Sequence, residues 1–370
     1  MSITVEELDQ RVKAFQEGKG EIQKQAGQKL TEFKSNPDAW LMVDKILQEA
    51  TYIPTKYLGL QVLDDVVNTR WKVLPREQCL GIRNFVVSQI LETSQTEESL
   101  KANRVFVNKL DLTLVTILKQ EWPHNWPTFI NEIISACHSG LSVCENNMAI
   151  LRLLSEEVFD FSQDQMTSTK AKNLKTTMCT EFSAIFQLCN EVLTTANSAP
   201  LVKATLETLL RFLNWIPLGF IFETQLIDTL VSRFLEIQEF RNITLKCLTE
   251  IGGLQLGQQF SYDEKLVQMF TETLTVVSRT VPIATNLKTL YEKSNARDQE
   301  YIQNLALFLC NFFSVHLNII EKLPNPGAFT GTASSMCTCV TFPVTGSSRL
   351  RLCPQFSENQ GMSFLSMRTA

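Results

Sequence analysis

Residues 57–75 read YLGLQVLDDVVNTRWKVLP, and their spacing decides the fold. Leu63, Val67, Trp71 and Leu74 step by four, four and three. An α-helix turns once in about 3.6 residues, so these steps put the four side chains on one stripe. Gln61, Asp64, Asp65 and Asn68 are left as polar positions off that stripe. Pro75 closes the stretch, where a missing N–H suits a turn or a first helical position.

The pattern recurs along the chain. Val107, Leu110, Leu114 and Ile117 step by three, four and three, and so do Ile302, Leu305, Leu309 and Phe312. Leu206, Leu209 and Leu213 repeat it. Sustained apolar/polar alternation between turn signals is missing, so the chain reads as all-α. Breakers at Asn36-Pro37, Pro54, Pro75, Pro123/Pro127, Pro200, Pro217 and Pro282 separate the segments, with Asn36 and Asp38 suited to a helix start. Helices are predicted over 3–17, 20–35, 38–50, 54–72, 75–93, 97–120, 127–139, 145–160, 167–195, 200–214, 223–236, 239–251, 262–280 and 297–322. NLKTLYEKSNARDQE (286–300) is polar and is read as including an exposed connection. Taken in pairs, the helices repeat at roughly 40–45 residues, the length of a HEAT-type hairpin.

Composition narrows the function. The 370 residues are 44% apolar and 20% charged, which suits an ordered chain with a substantial core. A net charge of -5 and the lack of a basic block argue against direct nucleic-acid binding. The start, MSITVEELDQRVKAF, has no basic segment followed by an apolar one, so no secretory signal is expected. No uncharged apolar run reaches the roughly 18–20 residues of a membrane span, so insertion is not expected either. Of ten cysteines, Cys79, Cys137, Cys144, Cys179, Cys189, Cys247 and Cys310 lie singly in apolar helical patterns, as free core thiols of an intracellular protein do.

Reactive constellations do not emerge. His124, His138 and His316 have no partner ligand at metal-binding spacing, and Cys337-x-Cys339 with Cys353 lacks a fourth ligand. Phosphate loops, dinucleotide turns and nucleophile elbows are missing, and Gly252-Gly253 with Gly257 reads as a loop between helices. Glu156 and Glu157 are adjacent, about 100° apart on a helix, and do not converge on one atom. No catalytic, cofactor-binding or metal site is expected.

Residues 121–130, EWPHNWPTFI, read as a structural corner made by Trp122, Pro123, Trp126 and Pro127. Wound helically, the two indoles would stack four residues apart on one face, with Pro127 in the first turn of the next helix. Trp71 and Trp215, near the ends of long helices, suggest the same use. The last residues, 324–370, are rich in Ser, Thr, Gly and Pro and carry no helical stripe, so a disordered tail is expected from Pro324.

EWPHNWPTFI resembles the Trp-Pro corner of the importin-β/karyopherin superfamily of nuclear transport receptors. YLGLQVLDDVVNTRWKVLP (57–75), LLSEEVFDFS (153–162), APLVKATLETLLRFLNWIPLGFIFET (199–224), FRNITLKCLTEI (240–251) and YIQNLALFLCNFF (301–313) are similar to its exportins for leucine-rich signals. The resemblance covers residues 5–325. It implies a HEAT-repeat (armadillo-like) superhelical solenoid of antiparallel helix pairs, divided into an importin-β N-terminal-like region at 1–95 and exportin-type repeats at 96–323. It also implies a receptor rather than an enzyme, without cofactors, which shuttles between nucleus and cytoplasm. The implied partners are the GTP form of the small GTPase Ran, export-signal cargo and phenylalanine-glycine nucleoporins.

In such receptors the first hairpins clasp the GTPase on their inner helices, by analogy residues 20–120 here. The helix predicted over 54–72 is the inner candidate, with Gln61, Asp64, Asp65 and Asn68 as Ran-facing positions. The cargo groove of these exportins lies in later repeats, which the chain is expected to lack. The resemblance stops near Leu323-Pro324-Asn325, as though a shifted reading frame or unspliced intron followed. A HEAT-repeat scaffold, or a nonfunctional truncated fragment without dependence on Ran-GTP, is the alternative.

Overall fold

The computed structural model describes residues 3–159, 168–256, 262–281 and 287–320. Among these residues every regular element is helical and no strand occurs. The expectations for the 324–370 tail, Cys337, Cys339, Cys353, Gly257 and Pro282 lie outside the described residues. Two compact units divide the chain, Met1–Thr208 and Leu209–Ala370, and the division falls within one helix.

The first unit opens with α1 (Val5–Glu17) and α2 (Glu21–Ser35). The Thr4 hydroxyl caps α1 by accepting from the Glu7 N–H at 3.2 Å, and Glu6 and Glu7 favour the positive end of the helix dipole. Gly20, at φ 60°, makes the left-handed turn into α2, where a side chain would be strained. Asn36 Oδ1 then accepts from the Asp38 N–H at 3.0 Å. The predicted 38–50 helix is a 3-10 turn, Ala39–Met42, followed by α3 (Val43–Glu49).

Pro54 sits in the first turn of α4 (Ile53–Thr69), where proline is pre-organised. This helix ends three residues short of the prediction. Trp71 and Leu74 therefore lie in the turn that leads to α5 (Arg76–Ser94), not on the α4 stripe. The predicted 97–120 helix is divided into α6 (Glu97–Ala102) and α7 (Arg104–Glu121). Asn103 stands at the break: its Nδ2 donates to the Ser99 carbonyl at 2.9 Å, beside its own backbone N–H at 3.0 Å. Next come α8 (Phe129–Cys137), α9 (Leu141–Phe159), α10 (Ser168–Thr195) and α11 (Ala199–Phe212), which holds the division between units.

Helix α7 is the spine of the first unit and packs against α4, α5 and α9. Its Val107, Leu110, Ile117 and Leu118 are fully buried. Each such side chain contributes about 1.5–3 kcal/mol through removal from water.

In the second unit the predicted 223–236 helix is shortened to residues 226–234, with a separate short helix ahead of it. The chain runs through α12 (Leu218–Phe222), α13 (Leu226–Thr229) and a π-helical turn, Leu230–Phe234. Thr224 divides α12 from α13, since its hydroxyl donates to the Phe220 carbonyl at 2.7 Å and accepts from the Leu226 N–H at 3.3 Å. Helices α14 (Arg241–Gly252), α15 (Asp263–Thr280), α16 (Leu287–Lys293) and α17 (Ala296–Ile320) complete the unit. The stretch 286–300, read as including a connection, holds α16, which its polar composition concealed, whereas α17 starts at Ala296, one residue before the predicted helix. Helix α14 lies so close to α17 that a Cβ at Gly252 would come within 3.2 Å of the Phe312 ring. Phe312 stacks on Phe270 with centroids 4.3 Å apart. Stacked helix pairs with short turns are the HEAT-repeat arrangement.

Candidate protein-binding face

Four residues of α4 were expected to face a partner, and the helix separates them. Gln61, Asp65 and Asn68 step by four and three and lie exposed on one stripe. Val62, Leu63, Val66 and Val67 lie buried between them. Asp64 turns away from that stripe and is half-buried, with Oδ1 lacking a hydrogen-bond partner. Burial pushes its carboxyl above the ordinary carboxylate range. The nearby Thr113 hydroxyl opposes that push, the Asp65 charge adds to it, and Lys109 and Lys119 counter it. Asp64 is thus bound into the α4–α7 packing.

Lys34 of α2 donates to Gln61 Oε1 at 3.1 Å. Beside this contact a cleft of about 290 Å³ is lined by Lys34, Asn36, Trp40, Asp65 and Arg70. The exposed α4 stripe therefore continues onto the end of α2, with both charge signs within it.

The polar theme extends along α7, α9 and α11. Arg104 pairs with Glu145 at 2.7 Å and Lys119 with Glu157 at 2.7 Å. Arg152 pairs with Glu207, and the Thr208 hydroxyl donates to the Met148 carbonyl at 2.8 Å. Asp111 is fully buried, and its Oδ1 accepts from Asn146 Nδ2 at 2.9 Å. The sequence reading missed Asp111 and Asn146, because each looks like an ordinary polar helix residue until both helices are placed.

The Trp-Pro corner is a turn and not a helix. Helix α7 stops at Glu121, Trp122 has extended backbone angles (φ -85°, ψ 142°), and the Trp122–Pro123 peptide is cis. Stacking of the indoles on one helical face is therefore corrected, and so is Pro127 in a first turn, since α8 starts at Phe129. Trp122 and Trp126 are both buried. Trp126 Nε1 donates to Glu132 Oε2 at 2.9 Å, its ring meets Phe129 edge-on at 5.1 Å, and the Arg83 guanidinium lies 4.4 Å from its centroid. Trp215 lies past the end of α11, half-buried and edge-on to Phe212 at 5.4 Å. The residue that organises the corner is Glu121, also missed in the sequence. Only 2% exposed, it accepts from Trp71 Nε1 at 2.8 Å and from Arg76. A cleft of about 540 Å³ opens there, lined in part by Trp71, Arg76, Trp122, Pro123 and His124.

Among the described residues no group of His, Cys, Asp and Glu is arranged to hold a metal ion. None of the described helices is long and apolar enough to cross a membrane. None of the seven described cysteines forms a disulfide with another of them. Cys79, Cys137, Cys144, Cys189 and Cys247 are buried, whereas Cys310 is half-buried and Cys179 is exposed, which corrects its reading as a core residue. His124 and His138 are exposed, while His316 is buried at a kink in α17.

Two family models match. Residues 26–99 fit the importin-beta N-terminal domain, and residues 103–248 fit the exportin 1-like protein family. Exportin-1 of Schizosaccharomyces pombe is 53% identical over 318 residues, which is 86% of this chain and 29% of that protein. Exportin-1 of Drosophila melanogaster is 49% identical over 314 residues, and that of Dictyostelium discoideum 45% over 304. These alignments cover 85% and 80% of this chain, and 29% of each relative. The chain thus spans less than a third of the length of these relatives. The N-terminal domain match, together with the stacked helix pairs, places the chain in the importin-β superfamily. Within that superfamily, it belongs to the exportin-1-like family.

Proposed function

We propose that this chain carries the GTPase-engaging region of a nuclear export receptor, and that the exposed α4 stripe binds the GTP form of Ran. One observation carries the reading: Gln61, Asp65 and Asn68 are exposed together on α4, within the residues that match the importin-beta N-terminal domain. The mechanism needs no reactive group. Each hairpin touches mainly its neighbours, so small adjustments add along the stack. Two ligands that favour the same arrangement then bind cooperatively by linkage, with a coupling of about 1–3 kcal/mol. GTP hydrolysis belongs to the partner, and this chain is a binding protein rather than an enzyme.

Export-signal cargo would be held by further repeats, which the greater length of the relatives supplies. Phenylalanine-glycine nucleoporins are the third class of partner, and shuttling between nucleus and cytoplasm follows from these roles. A pull-down with immobilised Ran tests the reading. Retention by the GTP-loaded form over the GDP-loaded form is expected, and substitution of Asp65 together with Asn68 should abolish that difference. Equal retention of both forms would instead support a scaffold or a nonfunctional fragment.

A further inference from the structure

The alternate helices α7, α9 and α11 are tied by a polar seam in which two arginines each serve one carboxylate, Arg104 with Glu145 and Arg152 with Glu207. Asp111, fully buried on α7, lies within electrostatic reach of both arginines. Its Oδ1 has one donor, Asn146 Nδ2, and its Oδ2 has none. Burial disfavours an ionised carboxyl so placed, and its proton affinity is raised to about 7. Asn146 and the charges of Arg104 and Arg152 act in the opposite sense. Those arginines are the charged groups acting on Asp111, one from α7 itself and one from α9. Among the described residues, none from α4, α5 or α6 does so, although all three pack against α7. Thr113, Lys109 and Lys119 of α7 act on Asp64 of α4 instead.

The seam therefore holds three carboxyls for two guanidinium groups. We propose that Asp111 is a proton-operated selector, which leaves the arginines with Glu145 and Glu207 when protonated and draws them toward itself when it releases its proton to solvent. Ionisation thus removes the tie of Arg152 to α11 and exchanges the α7–α9 tie of Arg104 with Glu145 for one of Arg152 with Asp111. The packing of successive hairpins in the first unit becomes sensitive to pH near neutrality. This inference concerns how the stack holds together and stands apart from whether α4 binds a GTPase.

Hydrogen exchange of the intact chain, read by mass spectrometry at pH 6 and pH 8 and corrected for intrinsic rates, tests it. A carboxyl that titrates near 7 in the folded state and near 3.8 when exposed gives about tenfold less protection at pH 8 than at pH 6. That loss is expected in peptides of α9 and α11, and Asp111→Asn should remove it. Glu207→Gln frees Arg152 for Asp111 and should shift the transition to lower pH, a readout that holds if Asp111→Asn fails to fold. Three results overturn the proposal: a pH-independent wild type, the same pH dependence in Asp111→Asn, or an unmoved midpoint in Glu207→Gln.

Discussion

Trp71 Nε1 donates to Glu121 Oε1 at 2.8 Å, and this buried bond joins residues fifty positions apart. It fastens the turn after α4 to the last residue of α7. The second oxygen of Glu121 takes the Arg76 guanidinium, so a single carboxylate holds both ends of the α4–α5 turn. An apolar residue at 121 would leave the indole N–H without an acceptor and the guanidinium without its partner.

Glu121→Ala is accordingly expected to destabilise the protein by about 2–3 kcal/mol, below the full loss of a buried pair because Arg76 is 45% exposed. Glu121→Gln keeps one acceptor oxygen and should cost about half as much. Guanidinium unfolding followed by tryptophan fluorescence reads both. Equal costs for the two variants would show that charge, and not hydrogen bonding, holds the turn.

The two indoles of the corner should respond differently to the same change. Trp126 donates to Glu132, whereas the Trp122 N–H lacks a hydrogen-bond partner. Trp126→Phe is expected to cost about 1 kcal/mol more than Trp122→Phe. Truncation to alanine removes packing at both positions and should cost about 3–5 kcal/mol in each case. Unfolding midpoints of the four variants decide the matter, and a reversed order for the two Phe variants would contradict the described contacts.

Asp9 predicts a loss of stability in acid. Burial raises its proton affinity, but the Thr55 and Thr51 side chains and the backbone of Thr51 and Tyr52 outweigh that and hold it below the ordinary carboxylate range. The Thr51 N–H and hydroxyl each reach its Oδ2 at 2.9 Å, which ties α1 to the start of α4. A depressed carboxyl stabilises fully above its unfolded value of 3.8, and that contribution disappears as pH falls through the folded value. Asp9→Asn should therefore lower the thermal midpoint at pH 7 but not at pH 2. Equal shifts at both pH values would rule out a charge-dependent role.

On α4, Asp65→Arg and Asn68→Ala alter exposed side chains and should move stability by no more than about 0.5 kcal/mol. If the stripe binds Ran-GTP, the pair together should weaken binding by about tenfold or more, equivalent to about 1.4 kcal/mol. Calorimetric titration beside thermal melting separates the two effects. A stable double variant with undiminished binding would move the interface away from α4.

Helix spacing made most of the fold legible. The stripes of Val107 to Ile117 and Ile302 to Phe312 are apolar at the periods that packing requires, and these residues are buried. What remained hidden depended on partners distant in the chain. Trp71 continues the α4 period numerically, yet the helix ends at Thr69 and Trp71 is held by Glu121 instead. Asn103 and Thr224 stand at helix ends with side-chain bonds to the backbone, a competition that periodicity does not register. The α4 positions divided for a similar reason. Gln61, Asp65 and Asn68 face solvent, but Asp64 lies one step around the helix and meets α7.

Asn146 and its neighbour Asn147 leave α9 in different directions. Asn146 reaches Asp111 of α7, while Asn147 Nδ2 donates to the Ile133 carbonyl of α8 at 3.1 Å. Adjacent residues so engaged act as a key in a shaft: α9 cannot roll about its long axis without shearing both bonds at once. Any flexing of the first unit must then come from tilt and slide between helices, with α9 keeping a constant rotational phase.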